Sequence, residues 1–550
     1  MTVTGRLADG AGHHDEADAG TDEAATPAVD RWLVLVVGLA VAAGTVLRFW
    51  PRSDLWLDEA LSVNIARLPL GRIPEALRHD GHPPLYYALL HLWTALDTSD
   101  WWVRALSGLI GVAGMPLAYL AGRRVGRRHG PDHLGGRRTG LLALGVYALL
   151  PFLVRYGSET RMYGLAAVEV LAGYLLVDDL WSGRATGRRR TLTAGGLALV
   201  TALALWTHYW SMWLLVAVGL VALWGAVRGN DAGRRAGARW SVAGLVGGGV
   251  LFLPWVPSLL YQGAHTGTPW GTAFRPTTMV MVTVVDLAGG AFAEAQALSY
   301  MLVALAAAAL VVRVVGRQLV LGGRPQPRVR TELGVVLLTM AVAWAVSYLS
   351  GNTYASRYAA VIVPLIVVAV AAGLALARSP RTTVLAAGLV LALCAVASAA
   401  EIANDRTEAR VMATSILADM AARPTAPAVV VVCPDQLGPA TRRALANRSS
   451  APPGIVSFPD GGDGRFVDWV DYATRNRRAD PAAFVDRLLA RTDPTATVYL
   501  VHAETYRTFE GKCEGVANAL GAARTGESLD SASTERFFEA MDLTAYRPRQ

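Results

Sequence analysis

The chain has 550 residues, of which 53% are hydrophobic and only 17% are charged, and its net charge is +8. Soluble domains average about 25% charged residues; the deficit here is concentrated in residues 32–400, which excludes a chain made only of soluble domains. The arginines cluster in short loops between apolar stretches, as in membrane proteins that set their orientation by basic loops, so the positive charge does not indicate nucleic acid binding.

Residues 1–31 are acidic and rich in glycine and alanine, and the apolar segment after them does not resemble a cleaved signal peptide. They predict a disordered tail on the cytoplasmic side. Lys512 is the only lysine, and every other Lys/Arg position is arginine. This usage is typical of a GC-rich bacterial genome and predicts a bacterial plasma membrane protein.

Apolar segments fill residues 32–400, and a membrane-spanning helix needs about 20 apolar residues. Eleven segments qualify: 32–50, 102–122, 139–154, 160–180, 192–207, 209–227, 240–260, 299–316, 332–350, 356–377 and 382–400. A twelfth segment, Pro84–Leu96, is shorter.

Basic loops decide whether this twelfth segment crosses the membrane. Strongly basic loops lie at 123–138, 184–190, 228–239, 313–330 and 378–381, and such loops stay cytoplasmic. If 84–96 crossed, all five would fall outside. We therefore predict about eleven spans, a cytoplasmic N-terminus, and an external loop over 51–101 with helices at 54–68 and 84–96 lying in the interface.

Two adjacent carboxylates, Asp58 and Glu59, open the first of these interfacial helices in DLWLDEALSVNIA. They either complement the helix dipole or supply a base. We expect Trp56 and Leu57 to face the lipid, so that the neighbouring carboxylate is partly dehydrated. A carboxylate in such a place can take a proton from an acceptor hydroxyl.

Four further clusters fall at the predicted external surface. His82 stands in DGHPPLYY, where it either contacts ligand or caps a helix, and His208–Tyr209 lie in a tight turn. The other two are Glu159, Arg161 and Tyr163 in YGSETRMY, and the pair Arg357–Tyr358. An arginine at a membrane mouth can simply snorkel, but arginine also suits planar phosphate recognition. We predict an anion site next to a carboxylate.

Residues 401–550 lack the long apolar stretches of residues 32–400, and their sequence pattern predicts a small external α/β domain. Strands are expected at Ala428–Cys433, Ile455–Phe458 and Thr497–His502, and helices at 439–447 and 481–491. Cys433 and Cys513 both lie in this domain, where disulfides persist. Either they are bonded to each other or they are two free buried thiols.

Five motifs in this order, DLWLDEA, DGHPPLYY, YGSETRMYGL, THYW and SRYAAVIVPL, resemble the GT-C glycosyltransferases that use polyprenyl-phosphate sugars. The resemblance covers roughly residues 32–380 and is nearest to bacterial mannosyltransferase-like members of glycosyltransferase family 39, akin to protein O-mannosyltransferases and the lipid A aminoarabinose transferase. It implies an inverting transfer in which Asp58 is the base and Glu59 its partner. It also implies that Arg161, Tyr163 and Arg357 bind the lipid phosphate, while His82 lines the cavity.

Together, the clusters and the resemblance define the expected site. Tyr358 joins the donor-binding residues, and Glu159, His208 and Tyr209 join the cavity lining. The expected donor is a polyprenyl-phosphate sugar, with mannose favoured, and the acceptor is a glycan, a lipoglycan or a protein. Some relatives use a divalent metal, but no metal ligands are predicted here. The alternative function is a lipid or glycan transporter or flippase without transferase chemistry.

Overall fold

The computed structural model describes residues 26–549 apart from short gaps at 130–132, 230, 269–270, 272–273, 291–292, 316–317, 322–328, 352–353, 378 and 505. Residues 1–25, which make up most of the predicted disordered tail, lie outside the described residues. The first helix begins at Thr26, six residues before the predicted start of the apolar body.

The membrane body is helical, and each of the eleven predicted segments overlaps a helix, although 139–154 and 240–260 are each divided between two helices and 299–316 ends in a strand. Among the described residues, six helices are long and apolar enough to cross a membrane by length and composition, so the number of spans stays a prediction. The helices are α1 Thr26–Arg48, α2 Leu57–Ala66, α3 Ile73–Asp80, α4 Leu85–Thr94, α5 Asp100–Gly126, α6 His133–Leu149, α7 Pro151–Tyr156, α8 Tyr163–Trp181, α9 Gly187–Thr207, α10 Ser211–Arg228, α11 Ala232–Phe252, α12 Val256–His265, α13 Pro276–Asp286, α14 Ala293–Val311, α15 Arg330–Ser350, α16 Val363–Leu374 and α17 Pro380–Ala403.

Short elements interrupt this helical pattern. A hairpin of β1 Val312–Val315 and β2 Gln318–Leu321 follows α14, at the start of the basic loop 313–330. A 3-10 helix, Ser356–Val361, precedes α16 and carries the SRY motif.

The predicted external loop 51–101 contains three short helices rather than the two that were expected. α2 and α4 match the predicted interfacial helices, and α3 lies between them. α4 has ten residues, so it rises only about 15 Å and is too short to cross a hydrocarbon core of about 30 Å. The placement of 84–96 in the interface stays a prediction.

Glycine allows close helix contacts in the body. A Cβ built on Gly44 of α1 would lie 2.1 Å from the carbonyl oxygen of Ala148 in α6, and one on Gly373 of α16 would lie 2.0 Å from that of Leu305 in α14. No larger residue fits at either position without separating the two helices, which is how small residues pack membrane helices.

The predicted external domain is an α/β unit with a five-stranded sheet. Its elements are α18 Ala409–Ala421, β3 Ala428–Cys433, α19 Gly438–Ala446, β4 Gly454–Ser457, α20 Tyr472–Arg478, α21 Pro481–Arg491, β5 Thr497–His502, α22 Lys512–Ala523, β6 Thr525–Asp530 and β7 Asp542–Arg547. The strand order is β4-β3-β5-β7-β6, with β4, β3 and β5 parallel and the last two antiparallel. Cys433 and Cys513 form a disulfide with Cα atoms 5.5 Å apart.

Ion pairs join this domain to the segment 51–101. Arg410 and Arg448 approach Asp54 with N–O distances of 2.7 and 2.9 Å, and Arg443 approaches Asp100 at 2.6 Å. Exposed pairs contribute little singly. Together they fix the orientation of the domain above α2.

Candidate active site

Asp58 lies in the first turn of α2, with its carboxylate next to two arginines. Its Oδ2 atom is 3.8 Å from Nη2 of Arg161 and 3.7 Å from Nη2 of Arg357. Both distances are longer than a hydrogen bond, and this buried oxygen accepts no hydrogen bond within the described part of the chain. A carboxylate oxygen attracted by two cations but bonded to neither can accept the proton of a ligand.

Arg161 is buried and is held in place by α2 and by the segment that begins α4. Its Nη1 donates to the hydroxyls of Ser62 at 3.0 Å and Tyr87 at 3.3 Å, and its Nη2 donates to Nε2 of His82 at 3.0 Å. These bonds fix the plane of the guanidinium beside Asp58.

The protonation of His82 follows from these partners. A guanidinium can only donate, so Nε2 of His82 must accept and the proton sits on Nδ1. Nδ1 is 2.8 Å from Oδ2 of Asp80, which also accepts from the Tyr87 hydroxyl at 2.8 Å. Burial raises the pKa of Asp80, but His82, Arg161 and Tyr87 outweigh it, so the net pKa is lowered. These contacts hold the His82 ring between Asp80 and Arg161.

Aromatic rings form the wall beside Arg357. The ring of His208 lies 5.5 Å from those of Tyr163 and Tyr358, and the guanidinium of Arg357 lies 5.9 Å from the Tyr358 ring. Burial, together with the nearby charges of Arg161 and Arg357, lowers the pKa of His208 well below its usual value. His208 is therefore neutral at neutral pH, and its Nδ1 accepts from the amide of Trp210 at 3.2 Å.

Glu59 points away from Asp58. It is fully buried and accepts from Arg104 through both oxygens, at 2.8 and 2.5 Å, and from the amide of Thr160 at 2.9 Å. The sequence suggested a functional pair, but consecutive residues of a helix do not face each other. The structure thus separates Glu59 from the reacting side and ties α2 to α5 through it.

Glu159 and Tyr209 also lie away from the Asp58 carboxylate. Glu159 is 3.5 Å from Arg155 and from Arg406, in a small polar cavity behind Glu59. The Tyr209 hydroxyl donates to Gln262 and accepts from Trp255. Since Gln262 also donates to the carbonyl of His82 at 3.3 Å, Tyr209 supports the His82 segment from outside.

Sequence reasoning missed four residues that build the site: Ser62, Tyr87, Arg104 and Trp56. A signal existed for Arg104, because an arginine at the start of a predicted apolar span demands a partner. No comparable signal marked Ser62 or Tyr87, whose roles depend on Arg161. Trp56 lies 6.0 Å from the guanidinium of Arg357 and was interpreted only as an interface anchor.

An apolar groove of about 340 Å³ lies between α9, α10 and α11. Its lining includes Leu205 and Met212, on either side of the turn that carries His208, and runs about 18 Å along α10, over twelve residues at 1.5 Å each. Its lining is Thr201, Leu205, Met212, Leu215, Val216, Gly219, Leu223, Val242, Leu245, Val246 and Gly249. Within the described ranges, no group of three or more His, Cys, Asp or Glu side chains is arranged to hold a metal ion.

The fold is similar to that of ArnT from Cupriavidus metallidurans. The structure of ArnT bound to undecaprenyl phosphate matches with a TM-score of 0.53 at 15% identity, over 94% of this chain and 98% of that chain. Apo ArnT matches with a TM-score of 0.52 at 15% identity, over 95% and 98%. The predicted GT-C-like membrane fold is therefore confirmed, and the chain ends in a small α/β unit whose external position stays a prediction.

A lower similarity is found to the archaeal oligosaccharyltransferase AglB from Archaeoglobus fulgidus in complex with an inhibitory peptide and a dolichol-phosphate. The TM-score is 0.48 at 11% identity, over 95% of this chain and 74% of that chain. A scan against protein-family models and a search of curated proteins found no match.

Proposed function

We propose that this protein is a membrane glycosyltransferase that moves a sugar from a polyprenyl-phosphate carrier to an acceptor on the external side of the membrane. The observation that carries the proposal is the Asp58 carboxylate oxygen, buried without a hydrogen bond and within 4 Å of Arg161 and Arg357. A base beside a binding site for phosphate is the arrangement that glycosyl transfer from a lipid phosphate requires.

The reaction forms one bond and breaks one. The acceptor oxygen attacks the anomeric carbon, its proton passes to Asp58, and the bond between that carbon and the phosphate oxygen breaks. The products are an inverted glycoside and the polyprenyl phosphate. Charge develops on the leaving phosphate, and Arg161 and Arg357 stabilise it in a site with little water. The transition state is oxocarbenium-like, as in glycosidases.

Glu59 has a positioning role in this proposal. Its bonds to Arg104 and Thr160 join α2, α5 and the segment that carries Arg161. Tyr163, Tyr358 and His208 form the wall beside the phosphate, and the groove along α10 accommodates the first isoprene units. Undecaprenyl phosphate bound to ArnT, which shares this fold, supports such a carrier.

The test is transfer by the purified protein. The protein is incubated in detergent, without a membrane gradient, with a radiolabelled polyprenyl-phosphate donor that carries mannose, arabinose or another sugar. Envelope glycans, lipoglycans or proteins serve as acceptors. We expect product from one donor, with mannose the first candidate by family resemblance. A protein that consumes none of the donors but moves a labelled lipid across proteoliposome membranes would instead be the transporter of the alternative hypothesis.

A further inference from the structure

The helix that carries Asp58 has no N-terminal cap of its own. Its N-cap residue is Trp56, whose side chain makes no capping hydrogen bond, although the first amides of a helix need acceptors from outside the helix. The acceptor comes from the external domain. The amide of Leu57 donates to Oε1 of Glu539 at 2.9 Å, across 482 residues of sequence.

The main chain around Glu539 is anchored to the segment that leaves α17. The amide of Glu539 donates to the carbonyl of Arg406 at 2.8 Å, and the amide of Glu408 donates to the carbonyl of Glu539 at 3.0 Å. Since α17 ends at Ala403, these bonds present Glu539 to α2 from a fixed point on the body.

The neighbouring residue extends the same contact. The ring of Phe538 packs edge-on against Trp56 with centroids 5.7 Å apart, and Trp56 in turn lies beside Arg357. The turn 538–539 therefore touches the two residues that precede Asp58, one through a hydrogen bond and one through ring packing.

We infer that Glu539 is a positioning residue for Asp58, so that the external domain completes the active site by fixing the start of α2. The inference rests on the proposed function, because it assigns Glu539 a part in the transfer reaction. A general base must stay within hydrogen-bond reach of the proton it abstracts, and α2 has no other side-chain cap to keep its first turn in register.

The protonation state of Glu539 decides which variants distinguish loss of its hydrogen bond from loss of its charge. The pKa of Glu539 is raised to about 8, mainly by burial, with the hydrogen bonds from Thr407 and Leu57 opposing the rise and the carboxylates of Asp58 and Glu59 adding to it. A largely neutral carboxyl is well imitated by glutamine, which keeps the accepting oxygen. Aspartate keeps the acid but is shorter by one C–C bond of about 1.5 Å, so it no longer reaches Leu57.

The experiment compares E539Q, E539D and E539A with wild type in the transfer assay. We expect E539Q to retain at least about half of kcat and E539D and E539A to lose about 10- to 100-fold, with donor KM changed little, since small misplacement of a catalytic group has this cost. E535A is the matched control, because Glu535 is an exposed residue of the same segment, and it should match wild type. If E539A does not fold, the inference is still tested by whether the kcat of E539Q exceeds that of E539D.

Hydrogen exchange measured by mass spectrometry supplies a readout that does not need activity. Amides at the start of α2 should exchange about fivefold faster in E539D than in E539Q, since a lost cap costs roughly that factor. Equal kcat in E539Q and E539D, or equal exchange, would overturn the inference. Wild-type protein that is inactive on every donor would overturn the proposed function, while exchange would still test the cap.

Discussion

Asp58 and Glu59 are neighbours in sequence but have opposite surroundings. The Asp58 carboxylate keeps an oxygen with no hydrogen bond beside two arginines, whereas both oxygens of Glu59 accept hydrogen bonds, two from Arg104 and one from the Thr160 amide. A buried carboxylate whose two oxygens are both held by protein donors is a poorer acceptor for a proton from substrate. The difference supports the proposed roles of Asp58 as the base and of Glu59 as the support of α2.

Asp58→Asn should lower kcat by about 100- to 10,000-fold, the usual cost of losing a general base. Asparagine fills the same space, so the yield and the thermal midpoint should stay near wild type. E75Q, at an exposed carboxylate of the same external loop, is the control. Turnover by D58N within threefold of the control would remove Asp58 from the mechanism.

Arg357→Gln should raise the KM for the donor and lower kcat/KM by about 10- to 100-fold, because a hydrogen bond to a charged group contributes about 1.5–3 kcal/mol. R275Q changes an exposed arginine of another predicted external loop and should leave both constants unchanged. A change confined to acceptor kinetics would mean that the phosphate binds elsewhere.

At the scale of secondary-structure elements, the turn from α3 to α4 places the His82 ring next to the Arg161 guanidinium. Gly81 ends α3 with φ of +85°, and a Cβ there would lie 2.9 Å from the hydroxyl of Thr266. The left-handed conformation and this contact both favour glycine. The turn holds Asp80 and His82 in the geometry that their 2.8 Å contact requires.

Gly81→Ala should therefore destabilise the protein by about 1–2 kcal/mol, the cost of a left-handed alanine, and reduce transfer about tenfold through displacement of Arg161. G71A is the control, since a Cβ on Gly71 of the same loop meets no atom within 4 Å. Thermal midpoints and initial rates of both variants measure the effect. A loss of activity equal in G71A and G81A would contradict the explanation.

Much of the architecture was predictable from residue patterns. Apolar length located the helices, and strand β5 matches its predicted range. The expectation that Trp56 and Leu57 face lipid was wrong, because both side chains are buried within the protein, with Trp56 packed against Phe538. Strand β6, TGESLD, was missed because it is polar and mostly exposed, so it has no buried face for periodicity to reveal. The Glu59–Arg104 pair was missed because it joins residues 45 positions apart, and one sequence does not report such contacts.

At the scale of the whole molecule, the active-site residues converge from separate mouths of the helix bundle. Asp58, Arg161, His208 and Arg357 meet in one place, as the predicted arrangement with all four at the external surface requires. That arrangement in turn needs an odd number of spans between a cytoplasmic N-terminus and an external C-terminal domain.

Single cysteines test this topology. S531C, exposed in the C-terminal domain, should react with an impermeant maleimide on intact cells. S182C, exposed before the basic loop 184–190, should react only after the membrane is opened. Background should be low because Cys394 is buried and the other two cysteines are bonded. The reverse pattern would place the external domain in the cytoplasm.

The disulfide has a consequence for how the chain can be cut. Lys512, the only lysine, directly precedes Cys513, so a protease specific for lysine has a single cleavage site, and the bond to Cys433 crosses it. Denatured, unreduced protein should therefore run as one band after digestion and release a fragment of residues 513–550 only when reductant is added. A fragment free without reductant would mean that the two thiols are unpaired. The nick leaves Glu539 on the short piece, tethered to the long piece by two sulfur atoms alone.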